Sequence, residues 1–426
     1  MIIDVSIWDN FVGALSWDQN KNVAVFQYSP KFINKGLEIA PILMPLREEP
    51  YEFPTLDLAT FKGLPPMLAD SLPDAFGDCI MKAWLARQGN SIESLTPLER
   101  LGYVGTKGMG ALEFEPVLNG KEVNVNNINL PELVQILHQI FDTKGNENYK
   151  NLEESALVKL FRTGTPAGGA RAKAILAFDE ENQVYKPGDI LHGPNHSYWL
   201  VKLDGTTNKV LGVPQGSGKI EYAYSKMAIN AGINMSECNL IYEGKRAHFI
   251  TKRFDRLNGE KLHMQTLAGV AGFDYRKSYM YSYEQVFTVL RKMNLLQADI
   301  VQQFRRMVFN VVARNQDDHV KNISLLMDKN GNWALSPAYD VSYNYTPNAD
   351  WTGKHQLSIN GKRDNFQMED LLKIGEENNI SRRKEIIEQV VEAVSNWEKF
   401  ASEAQVLPEQ IKMIKSTHQM LKNNNS

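Results

Sequence analysis

The change of texture after Arg256 constrains this chain more than any other feature. Before it lie short alternating runs such as Ile2-Ile3-Asp4-Val5-Ser6-Ile7 and Val23-Ala24-Val25-Phe26-Gln27-Tyr28, with Asp18-Gln19-Asn20-Lys21-Asn22 as a turn. Alternation with period two is a strand signal, and the polar break between runs is a hairpin signal. After Arg256 the patterns over 284–315 and 380–405 are long and helical. The expected architecture is an α/β N-terminal half, mixed or antiparallel β with helices, followed by a mostly helical C-terminal half.

Helices also punctuate the first half. Phe76, Ile80, Met81, Trp84 and Leu85 recur at helical spacing between Asp74 and Gln88, and Gly89 follows as a stop signal. A helix is expected from Pro131 to about Phe141 and another over 221–231. Strands are expected at Ala111–Phe114, Ala174–Phe178, Tyr198–Leu203 and Ala247–Thr251. The polar, Asn-rich stretch 118–128 suits a boundary. The expected divisions are 1–115, 116–253 and 254–426.

Composition narrows the class. The chain has 426 residues, 43% hydrophobic and 23% charged, the balance of a globular protein. A net charge of -3 supplies no overall basic field for nucleic acid. Two distant cysteines, Cys79 and Cys238, argue against a disulfide framework or a zinc site. The N-terminus reads as a strand rather than a signal peptide, and no apolar run approaches the roughly 20 residues of a membrane span. The expected location is the cytoplasm, with no membrane partner.

The chemistry concentrates in 309–343, FNVVARNQDDHVKNISLLMDKNGNWALSPAYDVSY. Phosphoryl transfer needs a carboxylate near the acceptor hydroxyl and oxygen ligands for Mg²⁺ beside the triphosphate. Asp317 and Asn322 stand five positions apart, the spacing of a kinase catalytic Asp and its metal-binding Asn; Asp318 is one residue too close for that role. Asp and Asn are common in turns, so the pair alone decides little. A strand at Ile323–Met327, a turn at Asp328–Asn332 and a strand at Trp333–Leu335 then lead to Asp340, the place of a second metal-binding Asp. Between the pair, Lys321 could neutralise phosphate or orient Asp317, and His319 could hydrogen-bond the loop.

A nucleotide also needs a lysine and a loop for its phosphates. Lys202 is a charged residue in an apolar strand, and buried lysines are rare unless paired. Upstream, Gly164-Thr165-Pro166-Ala167-Gly168-Gly169-Ala170-Arg171 could cradle phosphate on backbone N–H groups.

With these residues in place, the chain resembles HipA-type toxins of bacterial type II toxin–antitoxin modules over nearly its whole length. The resemblance is carried by Ala69–Asp74, Gly105–Ala111, Gly168–Ala174, Tyr198–Lys202, Lys252–Arg256, Asp317–Asn322 and Ser336–Val341. It implies a bilobal, protein-kinase-like Ser/Thr kinase with ATP and Mg²⁺ as cofactors. Asp317 would be the catalytic Asp, with His319 and Lys321 beside it in the loop. Asn322 and Asp340 would hold the metal, and Lys202 the ATP phosphates. Gly168, Gly169, Ala170 and Lys173 would belong to the phosphate-binding loop, and Lys252 to Phe254 to the adenine hinge. Family members modify a Ser in the Gly-rich loop; this chain offers Thr165, or Thr163. The implied partners are a helix-turn-helix, HipB-like antitoxin, DNA only through that antitoxin, and a protein substrate such as glutamyl-tRNA synthetase. Two rivals are a small-molecule kinase on a related scaffold and a catalytically idle nucleotide-binding corepressor.

Overall fold

The computed structural model describes residues 1–118, 127–142, 154–164, 172–207, 210–211 and 215–421. The chain divides into two compact units. One comprises Met1–Ser217, Asn239–Gln265 and Met327–Gly331; the other comprises Gly218–Cys238, Thr266–Leu326 and Asn332–Ser426.

In the first unit the N-terminal alternation becomes antiparallel strands β1 (Ile2–Ile7), β2 (Asn10–Asp18) and β3 (Val23–Tyr28). β4 (Leu112–Glu115) pairs with the other edge of β1, giving the order β3-β2-β1-β4. Ile3, Val5 and Ile7 are buried while Ile2 and Asp4 are exposed, as period two requires. The expected helix after Asp74 runs Ala75–Arg87, and Gly89 takes a positive φ just beyond it.

The second sheet of this unit contains β5 (Lys173–Asp179), β6 (Val184–Pro187) and β7 (His196–Lys202). Its order runs from the Cys238–Glu243 strand through Arg246–Lys252 to β7, β5 and β6. β5 is paired on both sides, by β7 and β6, and buried along nearly its whole length, so it reads as a continuous apolar run rather than an alternation. One core joins the N-terminal segment to this sheet: Trp84 and Leu85 share a cluster with Leu133, Phe161, Leu176 and Val201. The Trp84 and Phe161 ring centroids are 5.3 Å apart.

The second unit is mostly helical. The 284–315 pattern resolves into helices Tyr283–Lys292 and Gln297–Val312. Ser282 and Gln285 form a reciprocal capping box at the first, and Asn294, at a positive φ, ends it. In the second helix Ile300, Phe304, Met307, Val308 and Val311 are buried together with Phe309 and Val312. Burial around most of its circumference marks it as the central element, against which Arg383–Ser395 packs. Each such large apolar side chain contributes roughly 1.5–3 kcal/mol through burial. Helix Ser217–Asn230 adds Tyr224, fully buried edge-on to Trp397 at 5.1 Å.

Candidate active site

The 309–343 stretch begins in the central helix and leaves it at Ala313, whose carbonyl accepts from the Tyr224 hydroxyl at 2.7 Å. Arg314 takes a left-handed φ of 57°, which stops the helix. The chain then runs extended to His319 and tightens into a single 3₁₀ turn over Val320–Asn322. His319 caps that turn: its Nδ1 accepts the Lys321 N–H at 3.2 Å. The acceptor role at Nδ1 assigns the ring proton to Nε2.

The five-residue spacing has a direct physical reason. The side-chain Nδ2 of Asn322 donates to the backbone carbonyl of Asp317 at 2.8 Å and so closes the loop on itself. That bond uses the donor end of the amide, and Oδ1 accepts nothing among the described residues.

The two adjacent aspartates face opposite environments. The side chain of Asp317 is 34% exposed. Its Oδ1 accepts from the indole Nε1 of Trp351 at 2.6 Å and lies 3.6 Å from His319 Nε2. Asp318 is buried and accepts three bonds: from the Tyr283 hydroxyl at 2.8 Å, from His355 Nδ1 at 2.9 Å and from the Gln356 N–H at 2.7 Å. Tyr283 in turn accepts from Asn310, Asn310 from Asn315 and Asn315 from Asn344, each near 3.0 Å. A continuous polar chain thus ties the central helix to the loop. Burial, reinforced by the Asp318 charge, pushes the Tyr283 phenol well above its usual range, so it stays a donor.

Asp340 follows the expected strands Ser324–Met327 and Trp333–Leu335, which neighbour each other in one sheet. The turn between them is held by Asp328, whose Oδ1 accepts the Asn330 N–H at 2.9 Å. Arg306, buried in the central helix, donates to the Ser336 carbonyl, and burial lowers its guanidinium to about 10. Asp340 itself takes a left-handed φ of 56°, which Asp tolerates better than most residues. Next to it the Tyr339 hydroxyl donates to the Lys321 carbonyl at 2.5 Å, tying the Asp340 segment to the loop. Tyr283, Asn310, Asp318, His319, Asn322 and Asp340 help line a cavity of about 30 Å³. That is room for a water or two, far less than a nucleotide needs. The Lys321 ammonium lies 4.5 Å from the Tyr275 ring centroid.

No cluster of three or more His, Cys, Asp or Glu placed to hold a metal occurs among the described residues. A Mg²⁺ ion needs no such cluster, because one or two protein oxygens plus phosphates and water complete its shell. Asn322 and Asp340 line one cavity and carry hard oxygen donors, so the residue types fit that ion.

The other expected site residues lie in the first unit. Lys173 on β5 and Lys202 on β7 are cross-strand partners, and both are buried. Lys202 also pairs with Phe249, its ammonium 5.7 Å from the ring centroid. Lys252 is exposed and pairs with Trp199, three positions along the same ladder. Next to it Arg253 donates its N–H to the Tyr198 carbonyl at 2.8 Å, so the pairing with β7 continues one residue past Lys252.

Thr165, Gly168, Gly169 and Ala170 lie outside the described residues. Thr163 is corrected as a modification candidate. It is fully buried in the last turn of helix Glu154–Gly164, where its hydroxyl donates to the Lys159 carbonyl at 2.8 Å. Three residues that sequence reasoning missed are Trp351, Tyr283 and His355. They reach the Asp317–Asp318 pair from 34, 35 and 37 residues away, with no local spacing to reveal them.

Comparison with known proteins now adds a family. The HipA-like C-terminal domain matches residues 165–397, and the HipA N-terminal domain matches residues 3–115. The chain belongs to the HipA family. A Serine/threonine-protein kinase toxin HipA of Shewanella oneidensis is 20% identical over 367 residues, 80% of this chain and 75% of that protein. A Sinorhizobium fredii protein, Y4dM, whose kinase name is itself provisional, is 31% identical over 156 residues. That match spans about a third of either chain, 34% of this one and 36% of that one. Among solved structures, a Shewanella oneidensis toxin–antitoxin complex of HipA, HipB and operator DNA contains a chain with TM-score 0.66 and 16% identity, covering 97% of this chain and 94% of that one. At that identity the likeness establishes the fold. Among the described residues no helix is long and apolar enough to cross a membrane.

Proposed function

We propose that this protein is an ATP- and Mg²⁺-dependent Ser/Thr protein kinase toxin, held in check by a HipB-like helix-turn-helix antitoxin through which it meets operator DNA. The carrying observation is the loop closure at Asn322. Its Nδ2 is spent on the Asp317 carbonyl, which leaves Oδ1 to face a cation beside Asp340 and sets the half-buried Asp317 carboxylate one turn away. Lys202 and Lys173 supply buried positive charge for phosphates, and Gly168, Gly169 and Ala170 would, by family resemblance, belong to the phosphate-binding loop. Lys252 to Phe254 form the adenine hinge.

In the reaction the acceptor hydroxyl donates its proton to Asp317 as its oxygen bonds to the γ-phosphorus, and the bond to the β-phosphate oxygen breaks to release ADP. Mg²⁺ on Asn322 and Asp340 would neutralise charge on the phosphates. Lys321 adds a nearby positive charge, and His319 braces the loop. The acceptor is a protein Ser or Thr; glutamyl-tRNA synthetase is the first to try, by family resemblance, and Thr165 is the site of self-modification. The relatives that bear kinase names support this reading.

Incubation of the purified protein with Mg²⁺-ATP and glutamyl-tRNA synthetase, read by intact-mass and peptide mass spectrometry, tests it. A phosphate-sized gain on Thr165 or on the synthetase is the expected result. ATP binding without any transfer would instead favour the idle corepressor.

A further inference from the structure

The position of Asp317 depends on a residue that no local motif reveals. Asp317 sits on an extended stretch of the loop, half-buried with its side chain 34% accessible, where a short carboxylate has freedom at both side-chain torsions. A general base must sit within hydrogen-bond reach of the proton it takes, and misplacement by an ångström can cost two orders of magnitude. One direct hydrogen bond restrains this carboxylate: the 2.6 Å contact from Trp351 Nε1 to Oδ1. The other oxygen, Oδ2, has no partner among the described residues.

Trp351 is itself anchored. Its carbonyl accepts from the Gln356 side chain, and the Gln356 N–H donates to buried Asp318 at 2.7 Å. His355, in the same segment, donates to Asp318 from Nδ1 at 2.9 Å. Residues 351–356 therefore grip both aspartates of the pair, Asp317 through an indole and Asp318 through a ring and a backbone N–H. The His319 ring meets the indole edge-on at 5.9 Å and closes the other side. An indole N–H is donor-only and does not titrate in water, so it can fix a carboxylate without competing for the substrate's proton.

We propose that Trp351 is a positioning residue for Asp317: its indole N–H holds Oδ1 and leaves Oδ2 as the oxygen that accepts the acceptor hydroxyl's proton. The proposal rests on Asp317 being the base of the kinase reaction.

The test combines kinetics with indole NMR on the full chain. Trp351→Phe keeps an aromatic ring and deletes the N–H. Its kcat should fall roughly 10-fold or more, the scale of a lost hydrogen bond to a charged group. KM for ATP and the melting temperature should stay close to wild type. In ¹⁵N spectra of the seven tryptophans, the indole resonance missing from Trp351→Phe should move upfield in Asp317→Asn, which weakens the acceptor. That second readout needs neither catalysis nor a stable Trp351 variant, because substituting the other six tryptophans one at a time assigns the resonance by elimination. A Trp351→Phe kcat within twofold of wild type, with Asp317→Asn inactive, overturns the positioning role and leaves the kinase reading standing. A rise in kcat would make Trp351 an obstruction and also overturns it. So does a loss of kcat matched by a raised KM for ATP and a lowered melting temperature, or an indole resonance indifferent to Asp317→Asn. Full activity in Asp317→Asn would sink the base assignment itself, a separate and recognisable outcome.

Discussion

Two buried carboxylates, one in each unit, are satisfied by opposite means. In the first unit Asp255 lies between two guanidiniums: Arg253 donates at 2.9 and 2.8 Å and Arg256 at 2.9 Å, and the Gly110 N–H adds a fourth bond at 2.7 Å. Arg256 goes on to the carbonyls of Gly108 and Gly110, both at 2.8 Å, and Arg253 to that of Gly188 at 3.1 Å. In the second unit Asp318 is held by a phenol, an imidazole and a backbone N–H. The ionic cage welds distant backbone segments together. The cage around Asp318 instead orients a loop whose next-door residue, Asp317, stays partly exposed, and it does so without a guanidinium bonded to the carboxylate. Burial alone would raise Asp255, yet the two arginines hold it well below the usual carboxylate range.

The comparison breaks most sharply at Asp255. Asp255→Ala leaves two buried guanidiniums without their counter-charge, and removing one partner of a buried ion pair typically costs about 3–5 kcal/mol. Urea denaturation should show a loss of that order; a loss under 1 kcal/mol would mean that carbonyl contacts alone satisfy the arginines.

Acid sharpens the same contrast. Burial lowers His248 and His263 in the first unit, and His418 in the second, to about 4. The unfolded chain takes up protons near pH 6.5 while the folded chain resists until about 4. Stability is therefore full above 6.5, falls between 6.5 and 4, and levels off below. Each histidine accounts for up to about 3 kcal/mol. Asp255 is depressed, so its contribution is present above the unfolded carboxylate value of about 3.9 and is lost only as pH falls below that. The urea midpoint should thus drop between pH 6.5 and 4 in the wild type and in Asp255→Ala alike. A midpoint that stayed flat to pH 4 would refute neutral burial of the histidines.

Asp318→Asn should be milder. It sets an amide against a phenol, an imidazole and a backbone N–H and strands no guanidinium, at about 1–3 kcal/mol. Its mark should be on catalysis, because the displaced neighbour is Asp317. A melting shift as large as that of Asp255→Ala would erase the distinction between the two cages.

Much of this was legible in the sequence. Periodicity located β1, β3, the helix after Asp74 and the change to helical texture. The Asp317–Asn322 spacing located a loop that the structure closes with one hydrogen bond. The strand–turn–strand that precedes Asp340 was legible because the turn at Asp328–Asn332 is local chemistry. The rest escaped for a physical reason. Trp351, Tyr283 and His355 act through tertiary contacts across more than 30 residues, and nothing in their own neighbourhoods marks them. Thr163 looked like a loop hydroxyl until the helix Glu154–Gly164 was seen to enclose it. The single core uniting Trp84 with Phe161 across the expected 115/116 boundary was likewise invisible to local patterning.

The central claim is that Asp317 takes the acceptor's proton, and one rate comparison tests it most directly. At saturating Mg²⁺-ATP with a phosphorylatable protein acceptor, Asp317→Asn should transfer phosphate ~10²–10⁴ times more slowly than wild type, with nucleotide affinity changed only a few-fold. A variant that retained most of its rate would contradict the account and hand the role of base to another group.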